Sequence, residues 1–388
     1  MKIKNDTKNY IKFNVLTFLV LFLLSYSTIF IQRVKANFQI TEPKLVYNTA
    51  WQALNEKFYF KSNVNLQSWQ NKFENKINDL DDAHSCINKL VGVLNDPYTR
   101  FLTKDEFKDE QDIINSTLIG IGIKLASKKP VILDVLPDSP AYKEDVRPND
   151  YLLAINNQST KSLSTGKIVD LLRGQKDTSL TITLRRGNDI LDKTLIREEL
   201  ILKAVSTKLL ENDIALIKID SFIPENTSSL FRDELLKLMS TNGIILDLRN
   251  NSGGLLKNAI EIADMFLSEG KIVSTVDNSI KINEYANSSK LFNSNIVILV
   301  NENTASASEI LTSALKENNI ATVIGKRTYG KGLVQEVIKL PDDSALHVTI
   351  AAYLTPSGKN INNVGIIPDE IVSNEDKQIK KAIEILKT

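Results

Sequence analysis

The chain contains one cysteine, Cys86, and two histidines, His84 and His347. A single cysteine excludes an intrachain disulfide and any cysteine-rich zinc site. Cys86 lies in the helical-looking stretch Asp82-Ala83-His84-Ser85-Cys86-Ile87 and reads as a buried, inert thiol. Two histidines leave little material for a Ser-His-Asp machine, and His347 falls in the alternating pattern Ala345-Leu346-His347-Val348-Thr349-Ile350, which reads as a strand. Charge of one sign is also lacking. Forty-eight basic and 47 acidic residues leave a net charge of +1, which argues against a nucleic-acid partner that needs a concentrated basic surface. There is no His-Glu-x-x-His and no Gly-x-Ser-x-Gly, so neither a zinc peptidase helix nor a nucleophile elbow of that type is present. Gly325 to Lys331 fits seven positions of a phosphate-binding loop, but Gly332 stands where the magnesium-binding hydroxyl belongs. Ser164 to Lys167 fits Ser-x-x-Lys without the partner motifs of the β-lactamases. No cofactor and no metal are expected.

What is present divides the 388 residues into four parts. Lys2, Lys4 and Lys8 precede an apolar stretch from Phe13 to Ile31, followed by Val34-Lys35-Ala36. This has the layout of an export signal over residues 1–36. It is nearly long enough to span a bilayer, so cleavage after Ala36 and retention as a membrane anchor both stay open. Either way the remainder is expected outside the cytoplasm. Residues 37–108 read as a helical domain, with Trp51, Leu54 and Phe58, then Ile87, Leu90 and Leu94, at helical spacing. Residues 109–198 read as a β-rich domain: strands at 118–125, 131–136, 151–155 and 180–185, with one helix at 164–172. Residues 199–388 alternate strands and helices, with buried strands at 243–248 and 296–300, helices at 228–239, 255–267 and 305–317, and a hairpin of 333–340 with 345–354. The last part is an α/β domain with a mixed sheet, and the whole is an α+β multidomain protein.

Three segments of the last domain carry candidate chemistry. Asn303-Thr304-Ala305-Ser306-Ala307-Ser308-Glu309 follows a buried strand and opens a helix. Small residues there admit a substrate backbone, and free N–H groups at the helix start suit an oxyanion; helix capping is the competing reading. Asp247-Leu248-Arg249-Asn250-Asn251-Ser252-Gly253-Gly254 is a glycine turn after a second buried strand. Lys331, between Gly330 and Gly332, has no packing support from its neighbours; buried against a serine it would lose its proton through desolvation and act as a base. A flexible basic loop is the alternative.

Taken together, Thr304 to Glu309, Gly330-Lys331-Gly332 with Gln335, and Asp247 to Gly254 resemble the carboxy-terminal processing peptidases, the tail-specific proteases with a Ser-Lys dyad. Ser252 stands where that family usually has proline. Gly120-Ile121-Gly122-Ile123 resembles the carboxylate-binding loop of the family's PDZ domain, and Asp96-Pro97-Tyr98-Thr99-Arg100-Phe101-Leu102 the segment entering it. That segment, with Gln67-Ser68-Trp69, is most similar to the cyanobacterial and plastid branch, which matures the D1 protein of photosystem II. The likeness covers roughly residues 40–375.

The resemblance implies a PDZ domain, a crotonase-like α/β protease core, and roles for particular residues. Ser306 would be the nucleophile, Lys331 the general base and then acid, and Gln335 the group that orients the amine. The N–H groups of Ala307 and Gly253 would form the oxyanion hole, with Gly254 the runner-up for the second donor. Gly120, Ile121, Gly122 and Ile123 would bind the free, apolar C-terminus of a protein substrate, the D1 precursor among them, in the periplasm, on the outer face of a membrane or in the thylakoid lumen. Arg173 would touch that carboxylate or the neighbouring domain. Two other functions stay open: an inactive PDZ adaptor that only binds C-termini, and a crotonase-like binder or hydratase.

Overall fold

Pro43 opens the first helix, where its fixed φ suits the first turn. Helix α1 (Pro43–Lys57) buries Val46, Tyr47, Ala50, Trp51 and Leu54 at three-to-four spacing. Helix α2 (Leu80–Gly92) starts at Asp79, whose carboxylate accepts the Asp82 N–H at 2.8 Å, and buries Ala83, Cys86, Ile87 and Leu90. The computed structural model describes residues 42–387 except 116–117, 127–128, 201–203, 278–279 and 288–289. The expected export segment, residues 1–36, lies outside the described residues. Among those residues no helix is long and apolar enough to cross a membrane.

The two helices do not close a core of their own. Their buried face packs on Leu340, Leu346 and Val348, which belong to a hairpin more than two hundred residues on. Strand β1 (Arg100–Leu102) then joins that hairpin's sheet, with Arg100 opposite His347 and Leu102 opposite Ala345. Helix α3 (Lys104–Ile114) follows, so the expected boundary at 108/109 falls inside a helix. Periodicity in the sequence marks a buried face without saying what covers it.

The β-rich domain contains β2 (Leu118–Gly120), β3 (Ile123–Leu125), β4 (Ile132–Val135), the short helix α4 (Pro140–Lys143), β5 (Tyr151–Ile155), β6 (Gln158–Ser159), helix α5 (Thr165–Leu172), β7 (Ser179–Arg186), β8 (Asp189–Ile196) and β9 (Glu198–Leu200). The strand expected over 118–125 is broken in two at Ile121-Gly122. Gly122 has φ 82°, and a Cβ there would lie 2.2 Å from the Ser139 Cβ, so the turn admits only glycine. β2 pairs with β9, β3 with β4, and β6-β5-β7-β8 form the main sheet over Ile132, Leu152, Ile168 and Ile182.

The last domain adds β10 (Val205–Leu209), β11 (Ile214–Ile219), α6 (Thr227–Lys237), β12 (Gly243–Asp247), α7 (Leu256–Asp264), β13 (Lys271–Val276), β14 (Lys281–Tyr285), β15 (Asn295–Val300), α8 (Ala307–Glu317), β16 (Ala321–Gly325), β17 (Leu333–Lys339), β18 (Ala345–Leu354), β19 (Glu370–Ile371) and α9 (Glu375–Leu386). One sheet runs β10-β11-β12-β15-β16-β19, parallel from β11 onward. Both of its faces are covered. Phe231, Ala259, Ile262 and Leu311 of α6, α7 and α8 lie on one side, and Ala382, Ile383 and Leu386 of α9 on the other. That explains the unbroken apolar run of β12. The second sheet runs β1-β18-β13-β14, with β17 also paired to β18. The loops after β12 and β15 meet at the C-terminal edge of the parallel strands, where open α/β sheets place their sites.

Candidate active site

Ser306 is the N-cap of α8 and has φ 57° and ψ −120°. A non-glycine residue with positive φ is uncommon, and such strain at a strand-to-helix turn exposes a side chain that the helix would otherwise absorb. The Glu309 N–H bonds the Ser306 carbonyl oxygen at 2.8 Å. The neighbouring Ser308 is fully buried, with its hydroxyl donating to the Asn251 carbonyl at 3.1 Å. Of the two serines, then, Ser308 is committed to structure. Gly253 lies directly against Ser306. A Cβ on it would come within 2.7 Å of the Ala305 carbonyl oxygen, 2.8 Å of the Ser306 Cβ and 2.9 Å of the Ala307 nitrogen.

The turn after β12 is organised by Asn251, which is fully buried. Its Nδ2 donates to the Ile219 carbonyl at 2.7 Å, and its Oδ1 accepts the Gly253 N–H at 2.9 Å. Its own carbonyl accepts the Ala305 N–H at 3.0 Å. The Gly253 N–H is therefore already engaged, whereas those of Gly254 and Ala307 have no hydrogen-bond partner among the described residues. Arg249 turns away from the site and forms a paired contact with Asp247.

Lys331 lies in the turn before β17, partly buried. Burial pushes its ammonium below the ordinary lysine value, and the Arg100 guanidinium adds to this while Asp96 opposes it. No hydrogen bond joins Nζ to Ser306 Oγ or to Gln335 among the described residues. Nζ rests instead over the Tyr98 ring, 4.9 Å from its centroid. Gln335 faces Thr349 across a bulge in the β17–β18 pairing, and its Nε2 lies 3.5 Å from the Thr349 Oγ1.

A residue to which the sequence assigned no separate role joins the two halves. Glu309, fully buried, accepts the Ser306 N–H and the Lys331 N–H on the same oxygen, each at 2.9 Å. Its other oxygen accepts the Gly330 N–H at 2.7 Å and the Thr328 hydroxyl at 2.5 Å. One carboxylate thus fixes the spacing of the segments that carry Ser306 and Lys331. The signal was present as Ser306-x-x-Glu309, the pattern in which an N3 glutamate reaches back to the N-cap amide.

The remaining candidates lie elsewhere. In the β-rich domain Gly120 ends β2, Ile121 is buried in the core, Gly122 turns the chain and Ile123 opens β3. The Ile121 and Gly122 carbonyls accept the Ala141 and Leu136 N–H groups at 2.9 and 2.8 Å. Their own N–H groups have no partner among the described residues. Arg173, just past α5, forms an ion pair with Asp109 of α3. Both histidines are committed to carboxylates: His84 Nε2 lies 2.6 Å from Asp342 Oδ2, and His347 Nε2 lies 2.9 Å from Glu110 Oε1. The Ser164–Lys167 near-match is a helix cap, the Ser164 hydroxyl accepting the Lys167 N–H at 3.3 Å.

Comparison with known proteins identifies the two domains that carry these residues. The sequence profile of peptidase family S41 matches residues 213–372, and that of a PDZ domain residues 131–186. The carboxyl-terminal-processing peptidase 2, chloroplastic, of Arabidopsis thaliana is 34% identical over 356 residues, covering 85% of this chain and 69% of that protein. A carboxyl-terminal-processing protease of Picosynechococcus sp. is 32% identical over 341 residues, covering 84% and 82%. The solved structure of a photosystem II D1 C-terminal processing protease superposes with a TM-score of 0.63 at 27% identity, covering 90% of this chain and 98% of that one. An S41 core, a PDZ domain and these relatives make the chain a member of the carboxyl-terminal-processing peptidases, serine peptidases of family S41.

Proposed function

We propose that the chain cleaves protein substrates near a free, apolar C-terminus by a Ser306–Lys331 acyl-enzyme mechanism. The observation that carries this reading is the Glu309 oxygen shared by the Ser306 and Lys331 amides. Ser306 Oγ attacks the scissile carbonyl carbon and its proton passes to neutral Lys331 Nζ. The tetrahedral oxyanion is met by the Ala307 N–H at the start of α8. The second donor is either Gly253, whose N–H must leave Asn251 Oδ1, or Gly254, whose N–H needs no exchange. Collapse breaks the C–N bond, and the leaving amine takes the proton from Nζ. Water then attacks the acyl ester, Lys331 accepting its proton and returning it to Ser306 Oγ as the ester C–O bond breaks. Gln335 orients the amine by giving up its contact to Thr349, which at 3.5 Å is at the limit of a hydrogen bond.

The PDZ reading rests on the same kind of geometry. β3 pairs with β4 on one edge. A substrate strand adds to the other, and its carboxylate meets the Ile121 and Gly122 N–H groups. The apolar terminal side chain packs toward α5, where Ile168 and Leu172 are buried. From the likeness to a D1 processing protease, the photosystem II D1 precursor is the proposed substrate. The basic and apolar N-terminal segment supports action outside the cytoplasm, with membrane contact where that segment is retained.

The experiment is digestion of a peptide with a free apolar C-terminus, including the D1 precursor tail, by wild type, Ser306→Ala and Ser308→Ala. Wild type cleaves it and Ser306→Ala, folded, does not. Cleavage by Ser306→Ala would remove the nucleophile assignment, and cleavage of unrelated tails in preference to the D1 tail would remove the substrate.

A further inference from the structure

The wall beside the Lys331 amine comes from the far end of the chain. Tyr98 belongs to the turn between α2 and β1, and its ring centroid lies 4.9 Å from Lys331 Nζ. That turn is anchored at several points. Asp96 accepts the Tyr98 N–H at 3.2 Å and the Thr99 hydroxyl at 2.6 Å. The Thr99 hydroxyl in turn accepts the Thr349 N–H of β18 at 3.1 Å, and Thr349 stands opposite Gln335. At its other end the Tyr98 side chain lies beside that of Tyr329. The Tyr329 N–H donates to the Thr304 carbonyl at 2.9 Å, two residues before Ser306. Tyr98 therefore spans from the β17–β18 hairpin to the nucleophile segment, with the amine against its face.

We propose that Tyr98 is a positioning residue for Lys331, its ring holding Nζ within reach of Ser306 and keeping water away from it. The proposal rests on Lys331 being the base. Two effects of opposite sign meet at this ring. The π-face favours the ammonium, and exclusion of water favours the neutral amine. We take shielding as the larger effect. The other groups facing the site are Arg100, which favours the neutral amine, and Asp96, which opposes it. Tyr329 faces Tyr98, and the Glu309 carboxylate is occupied by backbone and hydroxyl donors that include the Lys331 N–H. Burial is the leading cause of the downward direction at Lys331. The Tyr98 hydroxyl itself is pushed up to about 12, chiefly by burial, so it stays protonated and does not serve as the base.

The test uses the full chain with Tyr98→Leu, Tyr98→Phe and Lys331→Arg. Two quantities are read: kcat/KM against pH, and titration of the Lys331 amine by NMR of isotope-labelled lysine in the Ser306→Ala background. Tyr98→Leu opens the site to water and moves both the acid limb and the amine titration upward by about 1 unit. Tyr98→Phe keeps the ring and leaves the limb in place. An unshifted or downward limb in folded Tyr98→Leu overturns the proposal, as does Tyr98→Phe shifting like Tyr98→Leu. If Tyr98→Leu does not fold, Tyr98→Met carries the same expectation. If Lys331→Arg is inactive and the Tyr98→Leu limb is unshifted, only the Tyr98 assignment fails. If Lys331→Arg is active, the base reading beneath it fails.

Discussion

Ser306 is held by loops that leave the parallel strands β12 and β15, whereas Lys331 stands at the entrance to the antiparallel strand β17. The first setting is closed by short, buried hydrogen bonds through Asn251 and by the close approach of Gly253. The second borrows its surroundings: Tyr98 and Arg100 come from the N-terminal segment, and Gln335 reaches Thr349 only at 3.5 Å. The Ser306 half is therefore preformed, and the Lys331 half depends on how well three parts of the chain are docked. Catalytic hydrogen bonds in unliganded sites are often long and tighten with substrate. The asymmetry assigns that tightening to the Lys331 side.

The largest effect on this comparison is expected at Glu309, which belongs to both halves. In Glu309→Gln one acceptor oxygen becomes an NH₂ donor: on the Ser306 and Lys331 side it loses both N–H bonds, and on the other side it loses the Gly330 bond while the Thr328 hydroxyl can turn to accept. Hydrogen bonds to a charged group are worth about 1.5–3 kcal/mol each, so kcat/KM should fall about 10-fold or more and the melting temperature should drop. Wild-type rates in Glu309→Gln would show that the halves are spaced by something else.

Gly253→Ala tests the nucleophile half alone. Its φ of 96° is unfavourable for alanine, and the new methyl would collide with the Ala305 carbonyl and with Ser306. We expect kcat to fall about 10²-fold, the range for a disturbed oxyanion donor, with KM little changed. A larger change in KM than in kcat would place Gly253 in substrate binding.

A smaller effect should come from the PDZ side. Amidating the C-terminus of a peptide substrate removes the charge that the Ile121 and Gly122 amides would bind, so kcat/KM should fall about 10-fold. Equal rates for free and amidated peptides would contradict carboxylate reading by this loop.

The smallest concerns the docking of the N-terminal segment. Burial alone would raise the Glu110 carboxyl, but the His347 hydrogen bond and charge, with Arg100, outweigh it and hold it below its ordinary value. The unfolded chain therefore binds this proton more readily than the folded one. The contribution is present above the ordinary value of 4.5 and is lost as pH falls through the folded value. His347→Gln should cost about 1 kcal/mol at pH near 6, seen as a lower urea midpoint, and the gap from wild type should narrow on acidification. A gap that widens on acidification would reverse the sign of the linkage.

How much of this was legible in the sequence follows the same division. The loops at Asp247–Gly254 and Thr304–Glu309 each sit directly after a strand whose apolar run is readable, so local pattern brings them to one edge of a sheet. Lys331 was legible as a lysine without packing support. Its neighbours were not: nothing local to Tyr98 or Arg100 indicates that β1 pairs with β18. The helical segment 37–108 read as a domain because periodicity reports a buried face and not its cover, which here includes Leu340, Leu346 and Val348. The strand expected over 118–125 hid a break that Gly122 and Ser139 impose through a contact across the fold. Gln335 was assigned to the lysine amine, and its nearest polar partner, Thr349, follows from a strand register that includes a bulge.

The central claim is that a neutral Lys331, and neither histidine, takes the proton from Ser306. Its most direct test is kcat/KM against pH for wild type, Lys331→Arg and the His84→Gln/His347→Gln double variant. A guanidinium stays protonated and cannot accept a proton. The account predicts a single rising ionisation for wild type, below the ordinary lysine range of about 10.4, an inactive Lys331→Arg, and a double variant that is folded and keeps the wild-type limb. An inactive but folded double variant together with an active Lys331→Arg would contradict it and require a histidine base.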